Sequence, residues 1–349
     1  MNRRSFLKKA GLLTAGMALS PLILPSGRLF ARTGSRRAQK VVLCLFAGGV
    51  RILESIQQSE GNLMPSLLYG DAEPSRDISH SFDPVPRSPL PMPLQAYGTL
   101  FKQFSYAQGP TGHYQGHMTA LVGRYLDNSI SLRARPPYPT LFEYYLKHQA
   151  PDQSALQAWW ISNSLGTNQL LNYSTASGYG SMYGANHLAP NTIINDTGRQ
   201  LLGGMIEQMH PDLVQIDAMR SFLDRNFRAP GAQSLNALRN SPEDQVRLQT
   251  FLNELYRRQG AGEFNDPWGA GRAFYNDMRT VFFTEQVIDA FKPELTVVNL
   301  EGVDICHNSF TEYCNNLRKA DYAVAHLWDF IQKTTGMANE TVLVIAPEI

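Results

Sequence analysis

Three separated stretches, KVVLCLF (40–46), ELTVVNL (294–300) and ETVLVIA (340–346), are apolar for about the length of one strand, with little of the alternation a half-solvated strand shows. A strand that is apolar on both sides needs cover on both faces, which points to a mostly parallel sheet between helices and away from a sheet with one face in water. QAWWIS (157–162) reads as a further strand, and LFKQFSYAQG (100–109) as a short one. Helical spacing fills the intervals between the long runs. In YPTLFEYYLKHQA, Leu141, Phe142, Tyr145 and Leu146 fall on one helix face. In SPEDQVRLQTFLNELYRRQ, Ser241 is placed to cap the helix and Pro242 stands at its first position. SFTEYCNNLRKADYAVAHLWDFIQKT reads as a long helix between the last two strands. The fold class is therefore α/β, with a mostly parallel central sheet flanked by helices.

The first run closes on Gly48-Gly49, and ligand sites in open α/β sheets gather beyond the carboxyl ends of strands. Residues 71–93 are rich in Pro, Asp and Ser and read as an irregular surface excursion. Residues 163–195 turn to Asn, Ser, Gly and Tyr with little periodicity and read as a long loop region lining or covering a site. From 196 to 293 helical patterns dominate, giving a helical insertion or cap. The chain returns to the sheet over 294–349, completing the domain begun at 38–195. The last strand is followed by no closing helix or loop, so the C-terminal part of the domain is expected to be truncated.

The amino terminus carries Arg3-Arg4, then Ser5-Phe6-Leu7-Lys8, then a weakly apolar run from Ala10 to Pro25. This order matches a twin-arginine export signal over 1–31, cleaved near Ala31, and implies the twin-arginine export machinery as a partner and a periplasmic or secreted destination. The run is too short and too broken by Gly, Ser and Pro for a stable membrane span. Net charge is +1 and charged residues are 17% of the chain, which excludes a polybasic surface for nucleic acid or anionic membrane. Of the three cysteines, Cys44 lies in an apolar run and reads as core, while Cys306 and Cys314 are placed to pair under oxidising conditions.

Four features carry chemistry. EGVDICHNSF puts Asp304 and His307 just beyond a strand, which suits a divalent metal. The alternative is an Asp that caps the next helix through Asn308 or Ser309, with a surface His beside it. TGHYQGHMTALVGRY places His113 and His117 four residues apart on one helix face. The glutamate of a metalloprotease H-E-x-x-H is absent there, Tyr114 taking its place, and Gly116 weakens the helix. Glu348, at the tip of the final strand, is a candidate further ligand or acid–base group. Arg51, just after the first strand, is a candidate fork for an anion or a simple loop anchor.

Taken in order, these pieces resemble the alkaline phosphatase superfamily, which includes the sulfatases and the cofactor-independent phosphoglycerate mutases. Sulfatases and mutases carry a Cys, Ser or Thr nucleophile ten residues before the Gly of a Gly-Arg ending; here Gly123-Arg124 supplies that ending and His113 stands at the nucleophile position. Gly116-His117 match the Gly-His of the mutases' motif, and NLMPSL (62–67) is similar to a sulfatase segment. VVNLEGVDICH resembles the superfamily's metal-binding Asp and His, and TVLVIAPEI the strand before its Asp-His-Gly motif, with Glu348-Ile349 at the Asp-His positions. Ala47 stands where the first-strand metal Asp is expected. The resemblance is closest to exported, twin-arginine-signal sulfatase-like proteins.

The resemblance implies a metal-dependent hydrolase of small anionic phosphate or sulfate esters. Asp304 and His307 would bind zinc, manganese or calcium, with His113, His117 and Glu348 as catalytic groups and Arg51 on the substrate anion. With the nucleophile and first-strand Asp replaced, a second reading is a non-catalytic periplasmic binding protein of the same fold, with no metal.

Overall fold

A computed structural model describes residues 38–70, 82–102, 112–125, 135–149, 154–163, 170–194 and 238–348. The expected export signal over 1–31, most of the expected strand over 100–109 and much of 196–293 lie outside the described residues.

Five strands form one sheet in the order β3-β2-β4-β1-β5, and every neighbouring pair is parallel. They are β1 (Lys40–Phe46), β2 (Ala158–Ile161), β3 (Asn186–Leu188), β4 (Leu295–Leu300) and β5 (Thr341–Pro347). β4 is wholly buried and lies between β1 and β2, with Cys44 opposite Val298 on one side and Ile161 opposite Val298 on the other. The continuous apolar runs of β1 and β4 exist because successive side chains enter two different cores, whereas the run of β5, at the edge of the sheet, is not covered on both faces as expected and leaves Val342, Val344 and Ile345 exposed. Val42, Cys44, Phe46, Trp159, Ile161, Val298 and Leu300 enter the larger one, while Leu45, Trp160 and Val297 enter the smaller.

The larger core is roofed by α4 (Pro242–Gly260), α5 (Asp277–Phe291) and α6 (Phe310–Lys333). Trp159 stacks on Phe291 with centroids 5.1 Å apart, and Phe251 of α4 meets both rings edge-on. The described helices of the 196–293 region thus pack directly on the sheet. α4 starts as expected: the Ser241 side chain accepts from the Asp244 N–H, Asp244 returns the bond, and Pro242 occupies the first turn. The smaller core is covered by α1 (His113–Val122) and α2 (Leu141–Tyr144), where Phe142 meets Trp160 edge-on at 6.3 Å.

Two expectations need correction. The 163–195 region is not simply loop, since its described part holds β3 and α3 (Pro190–Ile194), both contributing to the buried interior. β3 escapes an apolar-run search because its buried residues include Asn186 and His187. Asn186 exchanges amide hydrogen bonds with Asn240, and a ring nitrogen of His187 meets the Ser162 carbonyl. The second correction concerns Cys306 and Cys314, which are free thiols, as is Cys44. Cys314 is buried on α6, and burial pushes its thiol up to about 11. No described helix is long and apolar enough to cross a membrane.

Candidate functional site

The carboxyl ends of β1, β4 and β5 lie side by side. After β1, Gly48 adopts φ +85, and a Cβ there would stand 2.5 Å from the Asp304 Cα, so only glycine allows this approach. After β4, the 3-10 turn Gly302–His307 carries Asp304. After β5 comes Glu348, fully buried, whose backbone N–H donates to the Phe46 carbonyl. α1 lies across these ends. Gly116 gives it the clearance, because a Cβ at that position would sit 2.2 Å from the Glu348 carbonyl oxygen.

Four of the six residues singled out in the sequence meet here. His113 places Nε2 3.0 Å from Asp304 Oδ1 and Nδ1 3.2 Å from Glu348 Oε1. His117 places Nδ1 3.1 Å from the same Glu348 oxygen. The second oxygen, Glu348 Oε2, accepts the Gly48 N–H at 2.6 Å. The result is a continuous row, Asp304–His113–Glu348–His117, that runs from solvent into the interior. Asp304 and His113 are 41% and 39% exposed at their side chains, while His117 and Glu348 are 3% and 0% exposed. His117 therefore belongs to the buried support of the site, away from its mouth.

Beyond His117 the row continues into residues that the sequence reading overlooked. His117 Nε2 lies 2.6 Å from Asn299 Oδ1, and Asn299 Nδ2 donates to Ser162 Oγ at 3.2 Å. Asn163, next to Ser162, donates to the Glu301 carboxylate at 2.7 Å. Burial raises the Glu301 carboxyl above its ordinary range, against the lowering pull of Asn163 and His117. A polar Asn299 inside the apolar run TVVNL was the available signal, since a buried amide needs partners. Residue by residue, Gly116 was read as a helix weakener, whereas the structure uses it to bring α1 close to Glu348.

Arg51 is not brought into this row. Its guanidinium is 3.0 Å from the buried Glu54 carboxylate and lies over the Phe310 ring at 5.0 Å, the position of a loop anchor. His307 ends the Gly302–His307 turn that carries Asp304. Asp304 has a half-exposed carboxylate, an oxygen donor of the type that divalent cations take, and His307 follows three residues later. Among the described residues, no group of three or more His, Cys, Asp or Glu side chains is arranged to hold an ion.

The arrangement can accept and release protons. An imidazole held between two carboxylates, one exposed and one buried, can move a proton at its outer nitrogen while the inner one stays oriented. No protein-family model, curated protein sequence or solved structure matches the chain.

Proposed function

We propose that this is an exported hydrolase of phosphate or sulfate esters, of the alkaline phosphatase and sulfatase type. The observation that carries the reading is the convergence of His113, Asp304 and Glu348, from three distant segments, beyond the carboxyl ends of parallel strands. His113 and Asp304 form the solvent-facing pair. They take a proton from the attacking water and return it to the oxygen of the departing alcohol, so the protein ends the cycle unchanged. A positioned acid–base group of this kind contributes typically ~10²–10⁴ in rate. Glu348 holds the imidazole from its inner side, fixing the nitrogen that faces the ester. Asp304 and His307 would hold a divalent cation such as zinc, manganese or calcium, and such an ion supplies Lewis-acid polarisation of the ester oxygen.

A second reading, a binding protein with no turnover, is favoured by the His113 that occupies the position of a hydroxyl or thiol nucleophile. Turnover of 4-nitrophenyl phosphate and 4-nitrophenyl sulfate, with and without added zinc, manganese or calcium, separates the two. Hydrolysis that disappears in His113→Gln supports the enzyme. Saturable binding of inorganic phosphate or sulfate without hydrolysis supports the binding protein.

A further inference from the structure

We propose that His117 is a buried imidazolium, protonated on both ring nitrogens, that acts as a positioning residue by serving as the fixed counter-charge of Glu348. The inference concerns the site described above but does not depend on which ester, or whether any ester, is hydrolysed.

The polarity of the hydrogen bonds around the ring carries it. His117 Nδ1 lies 2.7 Å from the His113 backbone carbonyl oxygen, which can only accept, and 3.1 Å from Glu348 Oε1. Nδ1 therefore carries a hydrogen. Nε2 faces the Asn299 side chain at 2.6 Å, and the partner is oxygen or nitrogen according to how that amide is turned. Ser162 decides between them. Its hydroxyl has one hydrogen, which goes to the Asn163 carbonyl at 2.9 Å, leaving a lone pair toward Asn299. Asn299 must donate to that lone pair through Nδ2, as it does at 3.2 Å, so its Oδ1 faces His117 and Nε2 also carries a hydrogen.

An imidazolium 3% exposed needs a compensating charge. Glu348 supplies it from the end of β5. Glu301 faces the ring from the turn after β4, Asp304 lies beyond His113, and the edge of Trp160 closes the remaining side at 6.3 Å. Burial lowers the affinity of His117 for its second proton, but the bonds to Glu348, Asn299 and the His113 carbonyl outweigh burial, and the net direction is upward. Glu348 is thereby held at both oxygens, by the imidazolium at one and the Gly48 N–H at the other. The inner nitrogen of His113 meets a carboxylate that cannot turn.

The test uses the full chain labelled with 15N in its eight histidines, observed by two-bond 1H–15N correlation at roughly pH 7.5, about one unit above the ordinary histidine value. The His117 signals are assigned by their absence in His117→Gln. Both ring nitrogens should be in the protonated form, and an unprotonated Nε2 at that pH overturns the proposal. Asn299→Asp presents acceptors only and should raise the pH at which His117 loses its second proton by about one unit, a tenfold change in proton affinity. Asn299→Leu should lower it. If the leucine variant does not fold, the aspartate variant decides alone: an unmoved or lowered titration rejects the role assigned to Asn299.

Discussion

Gly116 and Glu348 touch backbone to backbone: a Cβ on Gly116 would fall 2.2 Å from the Glu348 carbonyl oxygen and 2.9 Å from its Cγ. The helix that carries His113 and His117 can approach β5 only because this side chain is missing. Gly116→Ala gains helix propensity and still loses, because α1 must move away from β5 and carry His113 with it. We expect a loss of stability of about 1–3 kcal/mol and a fall in turnover of ~10²-fold. Thermal unfolding together with ester hydrolysis checks both, and an alanine variant as stable and active as the parent would refute the contact.

Glu348→Gln should be among the costliest single changes in the chain. Its amide oxygen can still accept from Gly48, but the negative charge beside His117 and His113 is gone and an NH₂ faces their nitrogens. Removing one partner of a buried ion pair costs about 3–5 kcal/mol. Chemical denaturation at neutral pH measures it, and a cost below about 1 kcal/mol would show that the pair is not buried as described.

His113→Gln should leave the fold nearly intact, since the side chain is 39% exposed. Its effect belongs on kcat, with a fall of ~10²–10⁴ at little change in KM. If KM rises and kcat holds, His113 binds the substrate anion and is not the acid–base group.

Metal content separates the roles within the Gly302–His307 turn. Elemental analysis of the purified full chain should find divalent metal that drops in His307→Ala and in Asp304→Asn, while Arg51→Ala retains it. Chelation should abolish ester turnover in parallel. Persistent hydrolysis after complete chelation would remove the cation from the proposed reaction and leave the acid–base pair to account for it.

Asp277 offers a pH test of the packing beneath the Gly302–His307 turn. It is fully buried, both oxygens receive the Gly302 N–H at 3.0 and 3.2 Å, and burial drives its carboxyl up to about 7 against the lowering effect of that bond. A carboxyl that binds its proton more tightly when folded contributes stability that is complete below its unfolded value, near 4, and lost as pH rises through about 7. The upper bound is on the order of 4 kcal/mol. Asparagine keeps an acceptor for Gly302 and cannot ionise. Asp277→Asn should therefore flatten the decline in urea-unfolding stability between about pH 4 and about pH 7, and an unchanged slope in the variant would sink this assignment.

The sheet was legible because its inner strands are buried on both faces, while β5 was found by the same apolar pattern although Val342, Val344 and Ile345 stay exposed. A run such as KVVLCLF has no other economical fate, and the helices between the runs declared themselves by period and cap. β3 was hidden because its burial is of Asn186 and His187, whose cost is met by partners far off in sequence, Asn240 and Ser162. The same distance hid half of the site. His113, Asp304 and Glu348 could be named one by one, but nothing local says that His113 lies between the two carboxylates. Asn299 and Ser162 act only through a row of hydrogen bonds assembled by tertiary structure. Arg51 was a fair candidate by position, and it was claimed by Glu54, a carboxylate three residues away that lies buried under the same loop.

The register of β1 has a consequence for how the molecule forms. Val41 pairs with Leu295 on one side and Val342 on the other, so this early strand finds both its neighbours only near the far end of the chain. Such pairings carry a large loop-closure entropy and form slowly. During synthesis, at roughly 5–20 residues per second, β1 must wait tens of seconds with its apolar faces uncovered. The four-residue row from Asp304 to His117 cannot exist in a nascent chain that has not yet reached Glu348. Assembly of the row thus waits on the same distant pairing that covers β1, and a chaperone that shelters KVVLCLF until then would be acting on a strand whose apolar faces are uncovered.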